Sequence, residues 1–140
     1  MPTRKPIVLV GGVHHQMDPA DTLGVDGSLQ VGGAITVASK QILVGASPYT
    51  VLATDFMLEV QSNGGAITIN LPALTGGTVP NGRIIPIIDS GYNAAVANTT
   101  FVRGNGADKI NSVAASYVQN ISGAAIWLKA NTTTNNWEIV

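Results

Sequence analysis

The chain has 140 residues, a length that suits one domain plus an arm. Only 11% of them are charged, against about 25% in an average soluble domain, and 7 Lys+Arg nearly balance 8 Asp+Glu. The net charge of −1 leaves no basic excess for electrostatic binding of nucleic acid, the absence of Cys excludes disulfides and thiolate metal sites, and no apolar run approaches the roughly 18 residues of a membrane-spanning helix.

Residues 1–45 do not read as a compact domain. Arg4-Lys5-Pro6 precedes a short β-branched run, Ile7-Val8-Leu9-Val10, that stops at Gly11-Gly12. That run is too short for the core of a signal peptide, so the chain is expected to be made and kept in a cytosol, or assembled there into something larger. Residues 14–28 are polar and turn-rich. A six-residue repeat follows, Gly27-Ser28-Leu29-Gln30-Val31-Gly32 and then Gly33-Ala34-Ile35-Thr36-Val37-Ala38. Leu29, Val31, Ile35 and Val37 alternate with small or polar residues, the period-2 pattern of a half-buried strand. Each unit is too short to bury its apolar face alone, so the repeat predicts stacking or pairing with copies from neighbouring chains.

Residues 46–140 read as all-β. A strand is expected at 49–52, then a clean alternation of Phe56, Leu58 and Val60 with Met57, Glu59 and Gln61. Asn63-Gly64 predicts a hairpin to Ile67, Ile69 and Leu71, with Pro72 ending that strand. Asn81-Gly82 opens Ile84-Ile85-Pro86-Ile87-Ile88, where Pro86 lacks a backbone donor and predicts an edge or bulged strand. Further strands are expected at 99–103, around Ile110, at 117–121, 125–130 and 137–140, with Gly104-Asn105-Gly106 as a tight turn and 131–136 as the last hairpin loop. Turn signals every 8–12 residues predict a small antiparallel β-sandwich of jelly-roll type.

The sequence offers little positioned chemistry. His14 and His15 are the only histidines, and neighbours on an extended chain point to opposite faces, so no resident metal is expected. Asp55, Asp89 and Asp108 sit in turns without the dense oxygen spacing of a calcium loop, which favours turn chemistry. Gly11-Gly12 lacks the remaining glycines and the helix of a phosphate-binding loop, and no Gly-x-Ser-x-Gly elbow occurs. An enzyme is therefore not expected, nor any cofactor. Trp127 and Trp137 flank the last loop; core or subunit interface is the favoured reading, and stacking on a sugar together with Tyr92 is the alternative.

The opening Arg4-Lys5-Pro6-Ile7-Val8-Leu9-Val10-Gly11-Gly12, followed by Asp21-Thr22-Leu23, resembles the start of small tailed-phage virion proteins. The repeat at 27–37 is similar to shaft repeats of trimeric phage fibres. Tyr49-Thr50-Val51-Leu52, Ala66-Ile67-Thr68-Ile69-Asn70-Leu71-Pro72, Gly82-Arg83-Ile84-Ile85 with Asp89-Ser90-Gly91, and Gly106-Ala107-Asp108-Lys109-Ile110-Asn111 resemble a β-domain of phage fibres and capsid decoration proteins. The pattern departs at Ile121-Ser122-Gly123-Ala124, where the family often carries a Tyr-Gly-Ser-type turn.

The resemblance implies a homotrimer in the virion, an intertwined one with 1–45 as an arm for capsid attachment and trimer exchange and 46–140 as its β-sandwich. Starting at Met1 and ending on a strand at Val140, the chain reads as complete, with no room for a distal receptor-binding domain. Of the roles such proteins take, as capsid cement, head fibre or part of a tail fibre or baseplate, that favours a capsid decoration, or cement, protein over a receptor-binding tail fibre, with a short tail fibre or baseplate part as the alternative. The expected partner is the major capsid protein; tail proteins are the alternative, as is a glycan on the host surface. Neither nucleic acid nor membrane is expected. Ile7, Leu9, Leu29, Val31, Ile35 and Val37 are the expected strip of contact between subunits and capsid.

Overall fold

The computed structural model describes residues 34, 36–113 and 116–140, together with the backbone of two N-terminal strands. Those strands, β1 (Ile7–Val10) and β2 (Val13–Gln16), form an antiparallel pair with Val10 opposite Val13. They belong to one compact unit, Met1–Ile35, and everything else to a second, Thr36–Val140.

The second unit is built from two sheets around one core. In chain order its strands are β3 (Ser39–Leu43), β4 (Tyr49–Thr50), β5 (Met57–Gln61), β6 (Ile67–Asn70), β7 (Ile84–Asp89), β8 (Thr100–Arg103), β9 (Lys109–Ile110), β10 (Tyr117–Gln119), β11 (Ala125–Asn131) and β12 (Asn136–Ile139). The larger sheet has the order β3-β5-β7-β11-β12-β9, and the smaller β10-β8-β6-β4. From β3 to β11 the chain alternates strictly between the sheets. Ile42, Leu58, Val60, Ile87, Leu128 and Trp137 from one sheet meet Ile67, Ile69 and Val102 from the other in a single buried cluster.

The all-β expectation is met, but the antiparallel jelly roll is not. β3, β5 and β7 run parallel, as do β4, β6 and β8. Among the named strands, antiparallel pairing returns in this unit with β10 on β8, β11 on β7 and the β11–β12 hairpin. The body is wound, each turn of chain laying one strand on each sheet. The reason is visible at Asn63-Gly64. Gly64 adopts φ 90°, as the motif asks, yet the reversal carries the chain from one sheet to the other rather than back along β5. A turn dipeptide encodes reversal; it does not encode whether the flanking strands pair edge to edge or stack face to face. The last loop does close a true hairpin, with Asn131 opposite Asn136 and the Asn131 side-chain oxygen accepting from the Thr133 and Thr134 N–H groups, both at 3.2 Å.

Pro86 is another correction. It lies in a central strand, between β5 and β11, and not at an edge. The Asp89 and Ala130 N–H groups bond to Ala124 and Arg83 carbonyls, so the ladder from β7 to β11 uses odd-numbered positions of β7. The nitrogen of Pro86 therefore faces the β5 side, where pairing begins only at Ile87. The missing donor falls just before the first bond that would need it.

Ser39–Leu43, within the stretch read as an arm, is an edge strand of the body, and Ile42 is buried in its core. Its other residues are exposed, which is why its alternation is weak in the sequence.

Gly104 illustrates how tightly the turns are packed. A Cβ there would overlap the Asp108 carbonyl oxygen, and Asp108 in turn accepts the Leu74 N–H at 2.8 Å. We expect Gly104→Ala to cost about 1–3 kcal/mol in a urea unfolding experiment, because a backbone group rather than a flexible side chain must move.

Candidate functional site

Along β7 the residues facing the core are Ile85, Ile87 and Asp89, all buried. The alternate residues, Ile84, Pro86 and Ile88, are apolar too; Ile84 is exposed, Pro86 buried and Ile88 half-buried. A strand with one face in water alternates; a continuous apolar run is the signature of a strand covered on both faces. The neighbours of β7 extend the outward patch. Trp127 lies directly opposite Pro86 on β11, and Val140 donates its N–H to the Trp127 carbonyl at 3.0 Å. Trp127 is 49% exposed.

At the start of β7 this face opens into a groove of about 550 Å³ whose walls include Phe56, Ile84 and Trp127. Its polar element is a small, closed network. The Arg83 guanidinium donates to the Leu52 and Asp55 carbonyls at 2.7 and 2.9 Å. The Asp55 carboxylate accepts from the Tyr49 hydroxyl at 2.7 Å and from the Leu52 N–H at 2.8 Å. Burial lowers the Arg83 guanidinium from its ordinary value while Asp55 acts to raise it. The network fixes the 52–55 turn and leaves the groove close to neutral.

Burial, helped by the hydrogen bond to Asp55 and its charge, pushes the Tyr49 phenol up to about 12. A folded pKa above the unfolded value of 10.0 favours the protonated phenol in the fold. This stabilising contribution is complete below pH 10.0 and is lost as the pH rises through about 12. An ultraviolet difference titration should therefore contain one late tyrosine step that Tyr49→Phe removes.

A second grouping lies at the far end of β7. Asp89 is buried, and one of its carboxylate oxygens accepts the Ala94 N–H at 3.0 Å and the Gly123 N–H at 2.9 Å. It thereby clamps two loops, 90–99 and 120–124. The Ser122 hydroxyl donates to the Tyr92 carbonyl at 2.7 Å, and the Tyr92 ring lies over Gly123, whose missing Cβ makes the room. Gln119, Thr100 and Ser62 form a buried polar edge on the same side of the body. Another concavity, of about 450 Å³, runs along the exposed edge of β3 past Leu43 and Tyr49.

The residues singled out from sequence are scattered among these features. Trp137 is fully buried and belongs to the core. Trp127 is on the outer sheet face, and Tyr92, 75% exposed, is on the loop end. The three rings thus occupy three places, which corrects the idea of a shared sugar platform: β11 and β12 pair so that Trp137 shares the inner face with Ala130, while Trp127 takes the outer one. Asp55 accepts the N–H of Leu52 within its own turn, as expected, whereas Asp89 is the last residue of β7, and Asp89 and Asp108 accept the distant Gly123 and Leu74 N–H groups. Val37 is 38% exposed ahead of β3. Ile7 and Leu9 fall in β1, but their side chains, like Leu29, Val31 and Ile35, lie outside the described residues, as do the side chains of His14 and His15. Phe56, Arg83 and Ile84 were missed as a site. The one signal for them was the unbroken apolar run of β7.

No protein-family model matches the chain, and no curated protein matches it either.

Proposed function

We propose that this chain is a structural, non-catalytic virion protein that binds the outer surface of a phage capsid as a homotrimer and stabilises the shell. The observation that carries the reading is the apolar patch at the start of β7, where Ile84, Phe56 and Trp127 stay exposed beside a strand apolar on both faces, in a body that has little charge. The resemblance of the sequence to fibre and decoration proteins of tailed phages supports it further. The mechanism is burial: apolar surface removed from water contributes about 25 cal/mol per Å². Three copies joined in one particle also bind the lattice with the avidity of linked sites, their N-terminal segments reaching the major capsid protein. Bridging adjacent capsid subunits resists their separation.

Immunogold labelling of intact particles tests the assignment. Label over the head is the expected result. Label over the tail would make the protein a short fibre or baseplate part, and particles that bind no label would overturn the virion role.

A further inference from the structure

We propose that copies of this chain join head to tail, with the apolar loop end of one seated in the Phe56–Ile84–Trp127 groove of the next. The inference rests on the homotrimer reading and specifies its contact. The three most exposed large apolar residues of the body are Val96 (88%), Tyr92 (75%) and Ile121 (69%), and all three lie on the two loops that Asp89 clamps. These loops are pre-organised. Besides the Asp89 bonds, Thr99 donates its hydroxyl to the Ala95 and Val96 carbonyls at 3.0 and 3.1 Å, and Ala124 donates its N–H to the Ile121 carbonyl at 3.1 Å. A rigid apolar protrusion loses little entropy on docking.

The groove suits it in chemistry. Its one guanidinium is already engaged by two carbonyls and stands beside the Asp55 carboxylate, so it selects an uncharged occupant. Among the described residues, the loops 90–99 and 120–124 carry no Lys, Arg, Asp or Glu. A charged peptide would be left unpaired there; these loops would not.

Position decides the symmetry. β7 runs from Ile84 at the groove to Asp89 at the loops, roughly 16 Å along the strand. Groove and protrusion therefore occupy opposite ends of one sheet, and the contact joins unlike surfaces. Such heterologous contacts close into rings when the rotation permits, and three copies with one groove and one protrusion each use every surface.

Sedimentation equilibrium of the full chain tests this. The wild type is expected as a trimer. Trp127→Lys or Phe56→Lys in the groove, and Ile121→Asp or Tyr92→Asp on the loops, should each raise the concentration of half-dissociation about thirtyfold or more, with the thermal midpoint of the fold checked for each. Because the chain has no cysteine, one can be placed on each surface. Thr78→Cys with Val96→Cys should give covalent trimers on oxidation, and Thr78→Cys alone should not cross-link. A trimer that survives all four substitutions overturns the inference and leaves the homotrimer standing. Groove variants that dissociate while loop variants do not, or Thr78→Cys cross-linking to itself, also overturn it. A monomeric wild type overturns the homotrimer reading as well.

Discussion

Trp137→Ala is expected to destabilise the body by about 3–5 kcal/mol, whereas Trp127→Ala should change its stability by less than about 1 kcal/mol. The two tryptophans are ten residues apart around one hairpin, yet their surroundings are opposite. Trp137 is fully buried, beside Ala130 across the pair, and packed in the cluster with Leu128 and Ile110. Removing its ring leaves a cavity that two hydrogen-bonded sheets cannot collapse to fill. Against a typical total of about 5–15 kcal/mol, that loss takes a large share of the stability. Trp127, half exposed, gives up contacts only with the outer sheet face. Urea unfolding of the two variants checks the contrast, and each variant leaves one tryptophan as the reporter: a shielded, blue-shifted emission from Trp137, and from Trp127 one that is water-exposed once the copies are diluted apart.

Asp89→Ala is expected to cost about 2–4 kcal/mol, in spite of removing only a few atoms. The carboxylate accepts two backbone N–H groups, from Ala94 and Gly123, in a buried position. Without it the buried Ala94 donor loses its partner, and the part-buried Gly123 donor must turn to water. Asp89→Asn keeps a carbonyl acceptor and should lose less. Hydrogen exchange separates this from a general loosening: the Ala94 and Gly123 amides should speed up far more than those of Ile69 or Val102. A uniform increase across the core would mean that Asp89 acts through packing and not as a clamp.

The strands were legible in the sequence because their faces alternate. Leu58 and Val60, and Ile67 and Ile69, are buried at every second position, as read, though Phe56, read with them, is exposed ahead of β5; Ile126, Leu128 and Ala130 follow the same pattern in β11. The pairing was not legible. Parallel neighbours such as Val60 and Asp89 are joined only after the chain has crossed to the other sheet and back, and nothing local records that detour. β3 escaped notice because one residue of its five, Ile42, is buried. The groove escaped because Phe56, Arg83 and Trp127 come from three separate segments. The run Ile84-Ile85-Pro86-Ile87-Ile88 did carry the information that both faces of its strand expect cover, but Pro86 drew attention to the backbone instead.

The winding of the body has a consequence for its synthesis. β3, β5 and β7, and likewise β4, β6 and β8, can be laid down one after another as the chain emerges, each against a strand already present. β7 is different: its second neighbour is β11, which arrives late, and β12 and β9 attach only beyond β11. Until β11 (Ala125–Asn131) leaves the ribosome, the free edge of β7 presents bare backbone N–H and C=O groups beside its most apolar run. That interval is when a nascent chain of this kind is most open to pairing with the wrong strand.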